Sequence, residues 1–73
     1  MQTLVFNTQT KTVTVYEAKD ESSAILYQFT EVPTVKVLDG FYEVMRKQTN
    51  EGTETRVPVA RFPITNTNML IKN

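Results

Sequence analysis

The chain of 73 residues contains no cysteine and no histidine. Without cysteine it can form neither disulfide bonds nor zinc–thiolate sites, and without histidine it lacks the commonest nitrogen ligand for metals. The same two absences remove the usual nucleophile–base pairs of enzymes, because those pairs depend on histidine or cysteine. We therefore expect a protein that is not an enzyme and that uses no metal and no cofactor.

The sequence also lacks an excess of charge of either sign, since eight lysines and arginines balance eight aspartates and glutamates. A neutral chain has no overall field that would draw it to phosphate backbones or anionic membranes, which argues against both as partners. Residues 1–7 lack the basic and apolar regions of a signal peptide, and no apolar run is long enough to span a bilayer. We expect a cytoplasmic protein, in a bacterial host if a phage encodes it. The alternative is a mature form that has lost its signal peptide.

A chain of this length is sufficient for one small domain, and no repeat or linker divides it. A core of this size leaves a net stability of about 3–5 kcal/mol. We therefore treat residues 1–73 as a single domain in which nearly every large apolar side chain is needed.

The strongest structural signal is Asp39-Gly40, which joins two runs of alternating apolar residues at 34–38 and 41–45. Asp-Gly between such runs predicts a β-hairpin with a two-residue loop. The register that this loop sets pairs Leu38 with Phe41, Val37 with Tyr42, Lys36 with Glu43, Val35 with Val44 and Thr34 with Met45. The face that we expect to be buried then contains Val35, Val37, Tyr42 and Val44.

A polar loop at residues 49–52 leads from this hairpin to a further strand at residues 56–60, which Pro63 ends. The register that continues the buried face pairs Gln48 with Thr53, Lys47 with Glu54, Val44 with Val57 and Tyr42 with Val59. Pro58 cannot donate a backbone hydrogen bond. This strand is therefore expected at a sheet edge, or with the missing amide pointing outward.

Three more strands are predicted from runs of β-branched, aromatic or aliphatic residues at 3–7, 10–17 and 69–71. Residues 18–23 are polar and carry several charges, so we expect them to form an exposed loop between strands.

The segment 23–29 is open to two interpretations. Ile25, Tyr27 and Phe29 alternate as in a strand, whereas Asp20 or Ser22 could cap one turn of helix. We favour a strand, because Val32-Pro33 stops the segment before a helix could reach a stable length.

Residues 13–44 resemble the bacterial Src-homology-3-like family in the order of their short motifs. Val13-Thr14-Val15-Tyr16 stands at the first element of the family pattern, Ser22-Ser23 at its serine or threonine pair, and Ile25-Leu26 at its apolar strand. The two arms of the family's hairpin are matched by Val35-Lys36-Val37-Leu38 and Phe41-Tyr42-Glu43-Val44.

The chain departs from that family pattern at several points. Tyr16 stands in place of an arginine, Ala18-Lys19 in place of glycine–proline, Val32-Pro33 in place of glycine–threonine, and Phe41 in place of a tryptophan. The glycine–tryptophan–valine that follows the hairpin in the family is missing. The resemblance implies an all-β fold, a small antiparallel half-open barrel of five or six strands (SH3-like), that serves as a binding module. The family's cell-wall specificity does not carry over, because the residues that would argue for it are the ones that differ.

One cluster opposite the predicted buried face has the composition of a protein-binding patch. It contains Leu38, Phe41, Met45 and Pro58, with Arg56 among the charged residues around them. Aromatic, methionine and proline side chains ringed by charges are typical of small protein interfaces. The alternative is that the terminal strands fold over this face and make it the second wall of the barrel. Phe41 is expected to be partly exposed in either arrangement.

These features predict a non-enzymatic module that binds another macromolecule, with a protein as the expected partner. The size of the chain suggests an accessory protein, of the type encoded by phages or mobile elements, that docks on another protein and modulates it. One alternative is a structural homo-oligomer or virion component that binds copies of itself through an exposed edge strand or patch. A nucleic-acid-binding barrel is the weaker alternative, because the charge balance is neutral.

Overall fold

Seven β-strands and one short 3₁₀ turn make up the computed structural model, which describes every residue from Met1 to Asn73. The strands are β1 (Gln2–Asn7), β2 (Thr12–Tyr16), β3 (Ile25–Phe29), β4 (Thr34–Leu38), β5 (Phe41–Asn50), β6 (Thr53–Pro63) and β7 (Thr67–Lys72). The 3₁₀ turn, Ile64–Asn66, connects β6 with β7. The protein is all-β, as the sequence predicts, and none of its helical structure is long and apolar enough to cross a membrane.

The strands form two sheets. The first sheet has the order β3-β2-β1-β7, and the second has the order β4-β5-β6. All neighbouring strands are antiparallel except β1 and β7, which are parallel. The structure thus has seven strands in two sheets that are not closed into a barrel, so the predicted half-open barrel of five or six strands is not confirmed. The closing strand departs from the predicted antiparallel arrangement, because the chain returns to the first sheet after β6 and β7 lies alongside β1 in the same direction.

The core lies between the two sheets, and the alternation of side chains along the strands selects its members. On the first sheet, Leu4 lies opposite Val15 and Phe6 lies opposite Val13, so that two rows of apolar side chains point to the same side. The seven buried residues of the core are Leu4, Phe6, Val13, Val15, Val32, Val44 and Phe62. Val32 belongs to neither sheet, because it lies in the linker between β3 and β4.

The hairpin of β4 and β5 has the predicted register at all five positions, from Leu38 opposite Phe41 to Thr34 opposite Met45. Gly40 has a φ of +81°, whereas Asp39 is not among the residues with positive φ. Gly40 therefore adopts, at the second position of the loop, a backbone conformation that favours glycine. The local chemistry of Asp39-Gly40 therefore determines the pairing of the two strands, as predicted.

The burial of this hairpin follows the prediction only in part. Val44 is fully buried, Val35 packs against the core and Tyr42 is half-buried, but Val37 is 65% exposed. The prediction for Val37 is wrong because β4 is an edge strand of the second sheet, so no further strand flanks this side chain on its open side.

The register between β5 and β6 differs from the prediction because the loop has two residues, Glu51-Gly52, rather than four. Both have positive φ, 51° and 79°, as a type I′ turn requires. A bulge at Val59 then moves the register by one more residue. The observed partners include Gln48 with Thr55, Lys47 with Arg56, Met45 with Pro58, Val44 with Ala60 and Tyr42 with Phe62.

Three predictions of strand placement are confirmed. β6, which contains Pro58, is an edge strand and ends at Pro63. Residues 25–29 form a strand rather than a helical turn. Residues 69–71 lie within the closing strand β7.

The polar segment between β2 and β3 is exposed at residues 18–22, as predicted, but its ends are fixed to the first sheet. The hydroxyl of Thr3, a fully buried residue, donates a hydrogen bond of 2.8 Å to the carbonyl oxygen of Ala18. Lys72 Nζ lies 2.6 Å from Glu21 Oε1. The loop therefore spans from β2 toward β7 and leaves the opposite edge of the sheet, at β3, open.

We expect Glu51→Asn to stabilise the protein, because asparagine tolerates positive φ much better than glutamate does. Glu51 has a φ of 51° at the first position of the type I′ turn. The free energy of unfolding should rise by about 0.5–1 kcal/mol, measured by urea denaturation followed with circular dichroism. Thr53→Asn is the control, because it puts the same residue into a strand position, where no gain is expected. Equal effects of the two substitutions would contradict this account of the turn.

Candidate protein-binding surface

Each sheet has two edge strands, namely β3 and β7 in the first sheet and β4 and β6 in the second. Proteins commonly protect such edges from unwanted pairing with charged residues or proline. β7 contains Lys72, β4 contains Lys36, and β6 contains several charged residues together with Pro58. β3 contains neither a charge nor a proline, and the uncharged stretch around it covers residues 22–30. Among the four edges, β3 is therefore the one whose side chains do least to prevent pairing with another strand.

β3 also exposes three successive large apolar residues. Ile25 is 55% exposed, Leu26 is 46% exposed and Tyr27 is 53% exposed. The register against β2 shifts here, because Tyr27 lies opposite Val15 and Ile25 lies opposite Tyr16, which leaves Leu26 as an extra residue. From Tyr27 to Phe29 the pairing with β2 is regular. We call residues 25–29 the β3 edge.

Beside the β3 edge, a groove of about 370 Å³ opens between the two sheets. The residues that line this aromatic groove are Gln2, Tyr27, Phe29, Ala60, Arg61 and Phe62. The ring centroids of Tyr27 and Phe62 are 5.9 Å apart, and those of Phe29 and Phe62 are 6.4 Å apart. Both separations lie in the range of favourable aromatic contacts. Phe62 of β6 thus packs against the inner side of β3, while about half of Tyr27 stays open to solvent.

Arg61, one of the two polar residues that line the aromatic groove, forms an ion pair with the buried Glu43. Arg61 Nε donates a hydrogen bond of 2.6 Å to Glu43 Oε2. The Glu43 side chain is only 7% exposed, whereas the Arg61 side chain is 60% exposed. An apolar cavity with a few polar groups at its rim is suited to binding a side chain of a partner.

The five residues predicted to bind a partner do not form one continuous patch. Leu38 lies opposite Phe41 beside the turn, whereas Met45 lies opposite Pro58 farther along the second sheet. Phe41 is 41% exposed, in agreement with the expectation of partial exposure, and Leu38 is half-buried. Pro58 and Arg56 are both exposed on the edge strand β6.

Met45 is 5% exposed, which removes it from the surface available to a partner. The reason is its position on β5, the central strand of the second sheet, where Thr34 of β4 and Pro58 of β6 flank it on both sides. The other four residues stay predicted partner contacts, namely Leu38, Phe41, Arg56 and Pro58. Of these, Arg56 lines a cleft of about 280 Å³ together with Lys47 and Glu54.

The hairpin of β5 and β6 extends beyond the core as an arm, residues 46–56, in which every residue is exposed. Lys47 lies directly opposite Arg56, a pairing of like charges that is unfavourable by itself. Glu54 offsets the repulsion between Lys47 and Arg56, because Glu54 Oε1 lies 2.7 Å from Lys47 Nζ. The hydrogen bond to Glu54 and the negative charge of that carboxylate raise the pKa of Lys47 above its usual value. The predicted contact of Lys47 with Glu54 is thus present, although the two residues are not paired across the strands.

A polar cleft of about 440 Å³ lies where the β1–β2 turn, the β3–β4 linker and β5 meet. Lys11 and Glu31 in this cleft have positive φ, 58° and 54°, which strains residues other than glycine. Their carbonyl oxygens accept backbone hydrogen bonds of 2.8 and 2.9 Å from the amides of Val32 and Lys47, respectively. These bonds join the two sheets at this end of the molecule. The strained residues therefore have a structural role, and the cleft around them is a junction.

Sequence reasoning missed both the β3 edge and Phe62. The alternation of Ile25, Tyr27 and Phe29 is also the pattern of a strand with one buried face, so it does not reveal that the strand lies at an edge. The signal that could have indicated the edge is the absence of charge from residues 22–30. Phe62 stands between Arg61 and Pro63, where no alternation marks it as a core residue.

Comparison of the chain with protein-family models, with curated proteins and with solved structures finds no match. The resemblance of residues 13–44 to the bacterial Src-homology-3-like family therefore stays a prediction.

Proposed function

We propose that this protein is a non-enzymatic protein-binding module, and that its partner adds an extended strand to the β3 edge. The observation that carries this proposal is the run of three exposed apolar residues, Ile25 to Tyr27, on the one sheet edge without charge or proline. A module of this kind would modulate the protein on which it docks.

The physical basis is strand addition at a sheet edge. Backbone amides and carbonyls of an edge strand bind an added strand, and pockets for alternate side chains provide specificity. The aromatic groove next to Tyr27 is such a pocket, because it is lined by Phe29, Ala60 and Phe62. Covering Ile25, Leu26 and Tyr27 would add a favourable free energy of roughly 1 kcal/mol for each side chain.

The groups at this surface favour binding over catalysis. The side chains that a partner would meet are mostly apolar, apart from Gln28 on the β3 edge and the Gln2 amide and Arg61 guanidinium at the groove. Gln2 Nε2 already donates to Thr67 Oγ1 at 3.0 Å, and Arg61 is bound to Glu43. Such groups orient a partner, and neither is an acid or base that works near neutral pH.

Site-specific photo-crosslinking in the cells that contain the protein tests this proposal. A photo-reactive amino acid at position 26 should give an adduct of defined mass with a protein, because Leu26 lies on the β3 edge. The matched control is position 37, since Val37 is also an exposed apolar residue on an edge strand and is 65% exposed. Adducts from position 26 that are lost when Tyr27 is replaced by lysine would support strand addition. Equal adducts from both positions, or none from position 26, would overturn it.

A further inference from the structure

We infer that the strand that occupies the β3 edge is β3 of a second copy of this chain, paired antiparallel about a two-fold axis at Gln28. This inference rests on the proposed function, because it names the partner of the same edge.

The charge of the segment permits self-pairing. When two identical strands pair antiparallel about a two-fold axis, residues near the axis lie opposite their own kind, so a charge there meets a like charge. On β4 the central residue is Lys36, which would face itself. On β3 no residue from 22 to 30 is charged, and the chain as a whole has no net charge to keep two copies apart.

The register follows from the regular part of β3. Tyr27, Gln28 and Phe29 pair with β2 without interruption, whereas the bulge disturbs the strand at Leu26. A two-fold axis at Gln28 uses this regular part and places Tyr27 of one copy opposite Phe29 of the other. Cross-strand aromatic pairs are favourable.

The aromatic pairs would form on the inner side of the first sheet, where Tyr27 and Phe29 line the aromatic groove. Tyr27 and Phe29 lie opposite Val15 and Val13, which are fully buried, and both rings contact Phe62. The second copy would therefore extend a cluster of three rings that each chain already contains. Gln28 lies opposite Thr14 on the other face, where its amide would meet the amide of its copy.

With the axis at Gln28, only the three regular residues of each β3, Tyr27 to Phe29, lie opposite one another. This interface is small, so we expect a dissociation constant of about 10–100 µM. Light scattering across a concentration series should show the mass rising toward twice the 8.4 kDa of the single chain. Gln28→Lys puts two ammonium groups opposite each other and should weaken the dimer at least about tenfold. Val37→Lys, the matched control on the β4 edge, should leave it unchanged, and circular dichroism should show both variants folded.

A disulfide test locates the axis. The chain has no cysteine, so in Gln28→Cys any disulfide must join two copies at that residue. Residues directly opposite in an antiparallel pair have Cβ atoms about 4.5–5.5 Å apart, close enough to be bridged with small adjustments. Mild oxidation should cross-link Gln28→Cys and should leave Val37→Cys largely monomeric.

The outcomes separate this inference from the proposed function. A wild-type protein that stays monomeric to about 500 µM, or a dimer that Gln28→Lys and Val37→Lys weaken equally, would overturn self-pairing. If such a monomer still gave adducts from position 26 with a different protein, strand addition would be supported and the second copy excluded. If neither a dimer nor an adduct formed, both proposals would fail.

Discussion

Replacing Phe62 by alanine should leave this protein mostly unfolded at room temperature. Phe62 is 7% exposed and belongs to the core cluster, and its ring contacts those of Tyr27 and Phe29. Truncating a buried phenylalanine costs about 3–5 kcal/mol, because the lost burial is combined with an unfilled cavity. That cost is about the whole net stability of a domain of this size.

Far-UV circular dichroism and urea denaturation measure this effect. Phe62→Leu keeps most of the volume and should fold with a loss of about 1 kcal/mol, which provides a measurable free energy if the alanine variant is unfolded. Phe41→Ala is the matched control, since Phe41 is 41% exposed, and it should cost only about 1 kcal/mol. Similar losses for Phe62→Ala and Phe41→Ala would show that the rings between the two sheets do not hold them together.

Features of the fold that depend on local sequence could be predicted, whereas those that depend on the position of a strand in its sheet could not. The β4–β5 register was predictable because the turn at Asp39-Gly40 sets it within a few residues. The β5–β6 register was not, because Glu51 is an unusual residue at positive φ and the bulge at Val59 has no marker in the sequence. A strand pattern gives the faces of a strand but not its place in a sheet. For that reason the alternating pattern predicted that Val37 is buried, although Val37 lies on the edge strand β4 and is exposed.

The β3 edge was less predictable than the strand registers. It is exposed because no further strand lies beside β3 in the first sheet. Ile25 and Tyr27 would be core residues if another strand followed β3 in the first sheet. Their exposure is a consequence of the strand order, in which β3 comes at the end. The β3 edge lies on the first sheet, whereas the predicted patch of apolar residues lies on the second sheet. There the central position of Met45 leads to its burial, which breaks the expected patch into two parts.

Removing the Arg61 side chain should cost about 2 kcal/mol, more than removing a partner from a salt bridge of similar length at the surface. Arg61 Nε and Glu43 Oε2 are 2.6 Å apart, and Lys47 Nζ and Glu54 Oε1 are 2.7 Å apart. The two pairs differ in burial, because the Glu43 side chain is 7% exposed and that of Glu54 is 63% exposed.

In Arg61→Ala the Glu43 carboxylate keeps its buried place and loses its partner, which costs 3–5 kcal/mol when both groups are buried. The expected value is lower here because 60% of the Arg61 side chain is exposed. Lys47→Ala should cost much less than Arg61→Ala, because both groups of its pair are exposed to solvent. Adding Glu43→Gln to Arg61→Ala should recover part of the loss, because a neutral amide tolerates that site better than an unpaired charge. Urea denaturation of the three variants measures these differences, and equal losses for Arg61→Ala and Lys47→Ala would mean that burial of Glu43 does not set the strength of the pair.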